Sequence, residues 1–315
     1  MYIRNFAIAL LLSLISSTAF AADTPDFSLQ KVADKAYAAI AAKGGRAGAN
    51  AGVIVGSNGV VVVDSFVDAA PARALLAEIR KLTNLPIRYV VNTHYHIDHA
   101  GGNAVFAQEG ATILAQRNVR GWLRTENLKF FGADPKPEAR ARVEALVLPD
   151  IVFSDGVDIY LGTRLVQVRY MAGHTGGDAV VMVPDANVVF AGDLLWRKHL
   201  PNLVDATTDA WVKTLDELLA RHASAVFVPG HGDLADPQDV RDFRQYLVDL
   251  RAAVKETQAQ GMAGQSLQDA ALPRLKEKYG TWGFFEAFAK RNIAQTAAEW
   301  SGEKKVPAAA ESGVR

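Results

Sequence analysis

The stretch NTHYHIDHAGG (Asn92 to Gly102) places three histidines and an aspartate within six residues, although the 315-residue chain contains only seven histidines. In an extended or turning segment, side chains two residues apart lie on one face, so His94 and His96 can present ring nitrogens to one metal ion. Asp98 and His99 follow where a turn begins and can point toward a second ion. Protein-bound zinc usually takes four ligands, of which a catalytic site leaves one to water, so the stretch predicts a metal site that needs partners from elsewhere.

Three further side chains able to bind metal recur at predicted strand ends, each beside a glycine. They are His174 in MAGHTGG, Asp193 in FAGDLL and His231 in VPGHGD. Functional sites are commonly built where strands end, and glycine lets the backbone bend closely there. We therefore expect these side chains to join the histidine cluster at one rim of the scaffold. The alternative is that they are polar core or loop residues without a metal.

The remaining histidines are weaker candidates. Arg197, Lys198 and His199 follow Asp193 closely enough to bind a substrate carboxylate, although a solvated basic turn accounts for the same residues. His222 stands at the end of a predicted helix, where a positive charge suits the helix dipole, so a structural role is predicted for it.

Apolar periodicity predicts an α/β fold. A helix is predicted over Phe27 to Lys43, a hairpin over Ala51 to Val63, and a helix from Pro71 that leads to a strand ending just before the histidine cluster. Strands resume from Val157, and Pro237 opens a long helix. Strand runs followed by mixed strand and helix occur twice, which indicates two half-domains whose sheets pack face to face with helices outside.

The chain divides into four predicted segments. Residues 1–21 hold an apolar run followed by Ala-Phe-Ala, which is typical of a cleaved secretory signal peptide and predicts a periplasmic or secreted protein. A retained anchor is the alternative, but the run is short for a membrane span, so no stable membrane insertion is expected. Residues 22–255 are the predicted catalytic domain and 256–300 a helical extension docked as a cap. Residues 301–315 have almost no core-forming side chains and are expected to be disordered.

Composition excludes several classes of function. Without Arg4 of the predicted signal, 33 basic residues face 34 acidic ones, a net charge of about −1. This balance leaves no excess positive charge to bind a phosphate backbone, so nucleic acid is not expected as a partner. A small-molecule substrate is expected instead. The chain contains no cysteine, which removes disulfides as well as thiolate nucleophiles and metal ligands.

The metal-binding residues together resemble the metallo-β-lactamase superfamily, with motifs spread over roughly residues 50–234. All seven positions of the family pattern are filled here, by His94, His96, Asp98, His99, His174, Asp193 and His231. The resemblance implies a four-layer αβ/βα sandwich, here with a C-terminal helical extension, and a two-metal site at one rim. The first metal it implies is bound by His94, His96 and His174. The second is bound by Asp98, His99 and His231, with Asp193 bridging.

The aspartate at position 193 also separates subgroups of the family. Many true β-lactamases of the superfamily place cysteine or a non-ligand there, whereas an aspartate is similar to glyoxalase II, lactonases and arylsulfatases. The chain looks most like exported hydrolases of the glyoxalase II and quinoprotein-associated type. Nucleases of the superfamily generally carry an added domain and a basic surface, and neither is visible in this sequence.

The predicted function is an exported hydrolase with two zinc ions. Two divalent ions can share a water and lower its pKa to near neutrality, and the resulting hydroxide is expected to attack an ester, thioester or lactone carbonyl. Asp98 is the predicted catalytic residue that orients the water or relays its proton. Imidazole and carboxylate ligands suit zinc, but iron and manganese accept the same set. Two other functions stay open, a β-lactamase and a di-iron redox or metal-binding module.

Overall fold

The computed structural model describes residues 24–309. The predicted signal peptide lies outside these described residues, and so does the end of the predicted tail. Within residues 24–309, no helix is both long enough and apolar enough to cross a membrane.

The N-terminal half forms a seven-stranded sheet in the order β1 to β7. The strands are β1 (Phe27–Ala33), β2 (Ala36–Ala41), β3 (Ala51–Val55), β4 (Val60–Val63), β5 (Ile87–Asn92), β6 (Thr112–Gln116) and β7 (Ile151–Phe153). The first four strands pair antiparallel, and the pairs from β4 to β7 are parallel. The carboxyl ends of the parallel strands therefore meet at one edge.

The C-terminal half forms a five-stranded sheet in the order β12, β11, β10, β9 and β8. Its strands are β8 (Gly156–Leu161), β9 (Arg164–Tyr170), β10 (Ala179–Val183), β11 (Val188–Trp196) and β12 (Val226–His231). Only the pair of β11 and β12 is parallel. Their shared direction sends both carboxyl ends to the same rim.

Helices cover the outer faces of both sheets. They are α1 (Ala69–Leu82), α2 (Ile97–Ala100), α3 (Asn103–Gln108), α4 (Arg117–Trp122), α5 (Pro137–Glu144), α6 (Thr208–Arg221), α7 (Pro237–Ala259), α8 (Gly264–Tyr279) and α9 (Phe285–Ser301). The starts of two of them are fixed by caps. Asp68 accepts a hydrogen bond from Ala70 N at α1, and Asp236 and Asp239 form a capping box at α7.

Three buried apolar layers hold the sheets and helices together. The middle layer lies between the sheets and includes Val61, Val91, Val181 and Phe190. A second layer joins the first sheet to α1 and α3, and a third joins the second sheet to α6 through α9. The protein is therefore the predicted four-layer αβ/βα sandwich with C-terminal helices.

The helix predicted over Phe27 to Lys43 is wrong, because this segment forms the hairpin of β1 and β2. Alanine has the highest intrinsic helix propensity, but such propensities are small in energy, and tertiary packing overrides them where small side chains fit between layers. Ala36, Ala38 and Ala39 are fully buried, so both faces of β2 are covered. Lys35 makes the tight turn in a left-handed conformation, with φ of 53°.

The C-terminal helices share the core of the second sheet. Ile293 of α9 is fully buried in the same cluster as Trp211 of α6 and Phe243 of α7. Asn292 Nδ2 donates hydrogen bonds to Pro201 O at 2.9 Å and to Tyr246 Oη at 2.8 Å. Beyond α9, Lys304 Nζ donates to Leu203 O at 2.6 Å and Trp122 Nε1 donates to Ala308 O at 2.8 Å. Disorder of residues 301–315 stays a prediction.

We predict that Ile293→Ala lowers the free energy of unfolding of the whole protein by about 2–5 kcal/mol, because it leaves a cavity in a shared core. Equilibrium urea unfolding followed by tryptophan fluorescence measures this change. Leu82→Ala, at a side chain 39% exposed on α1, is the control and should cost less than about 1 kcal/mol. An unchanged main transition in Ile293→Ala would show that α9 unfolds separately from the sandwich.

Candidate metal centre

Four chain segments bring the predicted metal-binding residues to one rim. His94 and His96 follow β5, while Asp98 and His99 lie on the short helix α2. His174 lies in the loop between β9 and β10, Asp193 lies in β11, and His231 is the last residue of β12. The side chains of the five histidines and Asp193 are at least nine-tenths buried, and that of Asp98 is 26% exposed.

The seven side chains form two groups in space. In each group the potential ligand atoms all lie within 4.8 Å of one another, and the members are His94, His96, His174 and Asp193 in one and Asp98, His99 and His231 in the other. His174 Nε2 lies 3.1 Å from His96 Nδ1. The structure thus brings together all seven residues that were predicted from the sequence as metal ligands.

The two oxygens of Asp193 face different groups. Oδ2 lies 3.2 Å from His174 Nε2 and 3.6 Å from His94 Nε2. Oδ1 lies 3.0 Å from His99 Nε2 and 3.4 Å from His231 Nε2. One carboxylate is therefore placed to be shared between two cations.

Several buried polar atoms of the cluster lack hydrogen-bond partners, which bears on whether these residues fit a metal ion. The Nε2 atoms of His94, His99 and His231 and the Oδ1 atom of Asp193 are buried without a hydrogen-bond partner. Native structures rarely leave buried polar atoms unpaired, because the lost solvation costs free energy. Imidazole nitrogens and carboxylate oxygens are metal donors, so the group could hold metal ions.

The histidines and aspartates of the cluster shift one another's pKa values. Burial by itself lowers the pKa of His231, but Asp193 and Asp98 nearby raise it to about 9. Burial by itself raises the pKa of Asp193, but the charge of His99 and its neighbouring histidines holds that pKa well below its ordinary value. Carboxylates and imidazoles held this close together favour positive charge within the cluster, which bound cations would supply.

Asp64 supports the cluster and was not singled out from the sequence. Its carboxylate accepts hydrogen bonds from Thr93 N at 2.7 Å and Thr93 Oγ1 at 2.8 Å, and lies 2.8 Å from His99 Nδ1. This contact fixes the Nδ1 proton of His99 and leaves Nε2 facing the cluster. The signal available in the sequence was an aspartate directly after the apolar strand β4. Its left-handed backbone, with φ of 59°, was not predictable.

A second supporting carboxylate, Asp205, was also missed. It is buried and accepts hydrogen bonds from Tyr95 Oη and from Lys129 Nζ, the latter at 2.7 Å. His96 Nε2 lies 3.8 Å from Asp205 Oδ2. Burial by itself raises the pKa of Asp205, but nearby His96 and the hydrogen bonds from Lys129 and Tyr95 hold that pKa below its ordinary value. Nothing in the loop around position 205 indicates this contact in the sequence.

The predicted substrate-binding residues line an outer groove of about 700 Å³ beside the cluster. Arg197 Nε forms an ion pair with Asp239 Oδ2 at 2.9 Å, so its positive charge is largely balanced within the protein. His199 Nδ1 lies 2.7 Å from the carbonyl oxygen of Arg197. Lys198 also lines the groove, which meets the metal-binding cluster at His231. A role for these residues in substrate binding stays a prediction.

Comparison with known proteins agrees with the fold and the site. The model of the metallo-beta-lactamase superfamily matches residues 44–231. A metallo-beta-lactamase type 2 of Bacteroides fragilis is 24% identical over 229 residues, which are 70% of this chain and 85% of that protein. A linear primary-alkylsulfatase of a Pseudomonas species is 25% identical over 215 residues, which are 57% of this chain and 40% of that protein.

A solved structure shows the same fold. The metallo-beta-lactamase from Pontibacter korlensis aligns with a TM-score of 0.57 and 22% identity, over 70% of this chain and 99% of that one. The family match spans more than half of the chain and includes all seven clustered side chains. The chain belongs to the metallo-beta-lactamase superfamily of metal-dependent hydrolases.

Proposed function

We propose that this protein is an exported hydrolase that binds two zinc ions and cleaves an ester, a thioester or a lactone. Export is supported by the signal-like sequence of residues 1–21. The small-molecule substrate is supported by a cavity of about 310 Å³ that opens over the metal-binding cluster.

The observation that carries the proposal is the position of Asp193. Its two oxygens face two separate sets of histidine nitrogens at 3.0 to 3.6 Å, and Oδ1 has no hydrogen-bond partner. A buried carboxylate between two donor sets suits two cations sharing one bridging ligand. Zinc is favoured because five imidazoles and two carboxylates form the donor set.

The proposed roles of the residues follow from burial and distance. The first ion would be held by His94, His96 and His174, the second by Asp98, His99 and His231, with Asp193 between them. When bound there, the ions would supply Lewis-acid polarisation of a substrate carbonyl and a lowered pKa for a bound water.

Asp98 is the residue proposed to orient that water or to relay its proton. Its carboxylate is the most exposed of the clustered side chains, at 26%, and it lines the cavity. Partial burial raises the pKa of Asp98, but His99 and His231 lower it below its ordinary value, so the group is ionised at neutral pH. Its Oδ2 atom lies 3.4 Å from His231 Nε2, and the ionised carboxylate can accept a hydrogen bond from the water and orient it.

A β-lactamase is the second candidate, and the name of the Bacteroides fragilis relative favours it. A panel of thioesters, esters, lactones and β-lactams, assayed with zinc-loaded protein, separates the candidates. We expect the highest kcat/KM on a thioester, ester or lactone. A β-lactam rate far above all three would reverse this order.

We predict that His96→Ala loses about one equivalent of bound zinc and lowers kcat/KM at least about 100-fold, since even outer partners of metal ligands are worth 10- to 100-fold. Metal analysis by mass spectrometry and hydrolysis of the best panel substrate measure the two effects. His222→Ala is the matched control, because His222 ends α6 away from the cluster and should leave both values unchanged. Full activity in His96→Ala would contradict the proposed site.

We predict that chelation of the metal abolishes hydrolysis and lowers the melting temperature. A ligand that binds only the folded state at roughly 100 times its dissociation constant stabilises that state by about 2.7 kcal/mol. Differential scanning calorimetry before chelation, after chelation and after readdition of zinc measures this change. Restoration by zinc but not by iron supports the hydrolase. Hydrolysis that survives in chelated, metal-free protein would refute the proposal.

A further inference from the structure

Two exposed phenylalanines line the cavity over the metal-binding cluster. Phe130 is 38% exposed and Phe284 is 47% exposed, and both line this cavity. The floor of the cavity is polar, since the clustered side chains His96, Asp98, Asp193 and His231 form it. The other apolar side chains of the wall are Ile97, Trp196 and Phe288. Exposed apolar surface gathered in one concave site is typical of a place where a ligand is buried.

Phe284 comes from outside the part of the chain that the family model matches. It precedes α9, whereas the match ends at residue 231. Its ring centroid lies 6.1 Å from that of Trp196 and 6.3 Å from that of His231, and the Trp196 ring stacks on His231 at 3.9 Å. The C-terminal extension therefore supplies one wall of the cavity.

The backbone around Phe284 is held against the loop after β11. Gly283 N donates to Lys198 O at 2.8 Å, and Leu200 N donates to Gly283 O at 2.9 Å. Phe284 itself has φ of 61°, in the left-handed region where glycine costs least. This conformation is sterically disfavoured for an aromatic residue, and here it places the Phe284 ring in the wall of the cavity.

Phe130 is held by a different set of contacts. Its ring packs edge-on against His96, with centroids 4.8 Å apart. The neighbouring Lys129 is anchored by its ion pair with Asp205 at 2.7 Å. Asn127 of the same turn accepts a hydrogen bond from Ile97 N at 3.0 Å. Both walls are therefore attached to the elements that carry the metal-binding side chains.

We propose that the C-terminal extension completes the substrate site, and that Phe284 and Phe130 bind the apolar acyl group of the substrate between them. This inference rests on the proposed hydrolase function and names the substrate class as esters or thioesters with an apolar acyl chain. The carbonyl end of such a substrate lies over the polar floor, while its chain lies between the two rings.

Calorimetric titration of zinc-loaded protein with butanoate, hexanoate and octanoate tests the site through the carboxylate products of the reaction. In the wild-type protein we expect affinity to rise about fourfold per methylene, the value for transfer of a methylene from water to an apolar site. Phe284→Ala and Phe130→Ala should each reduce this rise to about twofold or less with bound zinc unchanged. Phe284→Leu, which keeps apolar bulk, should restore most of it.

Tyr160→Ala is the matched control. Tyr160 is 63% exposed on β8 and lines neither the cavity nor the outer groove, so its variant should keep the wild-type dependence on chain length. Equal affinity of the wild-type protein for all three carboxylates would overturn the inference. An unchanged rise per methylene in Phe284→Ala would overturn the role of the extension.

Hydrolysis of p-nitrophenyl acetate, butanoate and octanoate separates this inference from the proposed function. We expect Phe284→Ala to raise KM for the octanoyl ester far more than for the acetyl ester, with kcat changed less than about threefold. An equal loss on all three esters would contradict acyl-chain binding. In one outcome, the wild-type protein binds longer carboxylates more tightly and yet hydrolyses no ester, thioester or lactone of the panel. That result would refute the proposed function but would still support the apolar binding site.

Discussion

The structure must keep one buried carboxylate, that of Asp193, surrounded by histidines from distant parts of the chain. This carboxylate lies within 3.6 Å of nitrogens from four histidines, and such a concentration of polar atoms in a protein interior is unfavourable unless charge compensates it. Because the histidines come from both halves of the chain, the two sheets must stay in one alignment. The apolar layer between the sheets fixes that alignment over most of their area.

Hydrogen bonds between the halves fix the rim itself. Ala179 N donates to Thr93 O at 2.7 Å, which joins the start of β10 to the loop of the histidine cluster. Asn50 Nδ2 donates to Pro229 O and Gly232 O, both at 2.8 Å, on either side of His231. Glycine at position 230 is needed because a Cβ there would lie 1.9 Å from Asp193 Oδ1. Small errors in this packing would separate the ligands, so metal binding depends on the whole sandwich.

The metal-binding side chains and the Phe284 wall of the cavity come from different parts of the chain. The metal-binding side chains all lie within the part that the family model matches, and the apolar wall from Phe284 lies beyond it. Helices α8 and α9 are held in place by burial of residues such as Leu267, Ala271 and Ile293, so the wall is supported by a continuous core. A change in these helices can therefore reshape this wall of the cavity without moving the clustered histidines and aspartates.

The sequence by itself predicted which seven side chains cluster at the rim, because histidines and aspartates beside glycines at strand ends are typical of a site built there. It also predicted the layered fold, since strand and helix periodicities follow from local burial. Only the tertiary structure decided that Phe27 to Lys43 forms strands, since burial between layers overrides the helix preference of alanine. The supporting roles of Asp64 and Asp205 and the position of Phe284 arise from contacts between distant segments, and local sequence carries no record of such contacts.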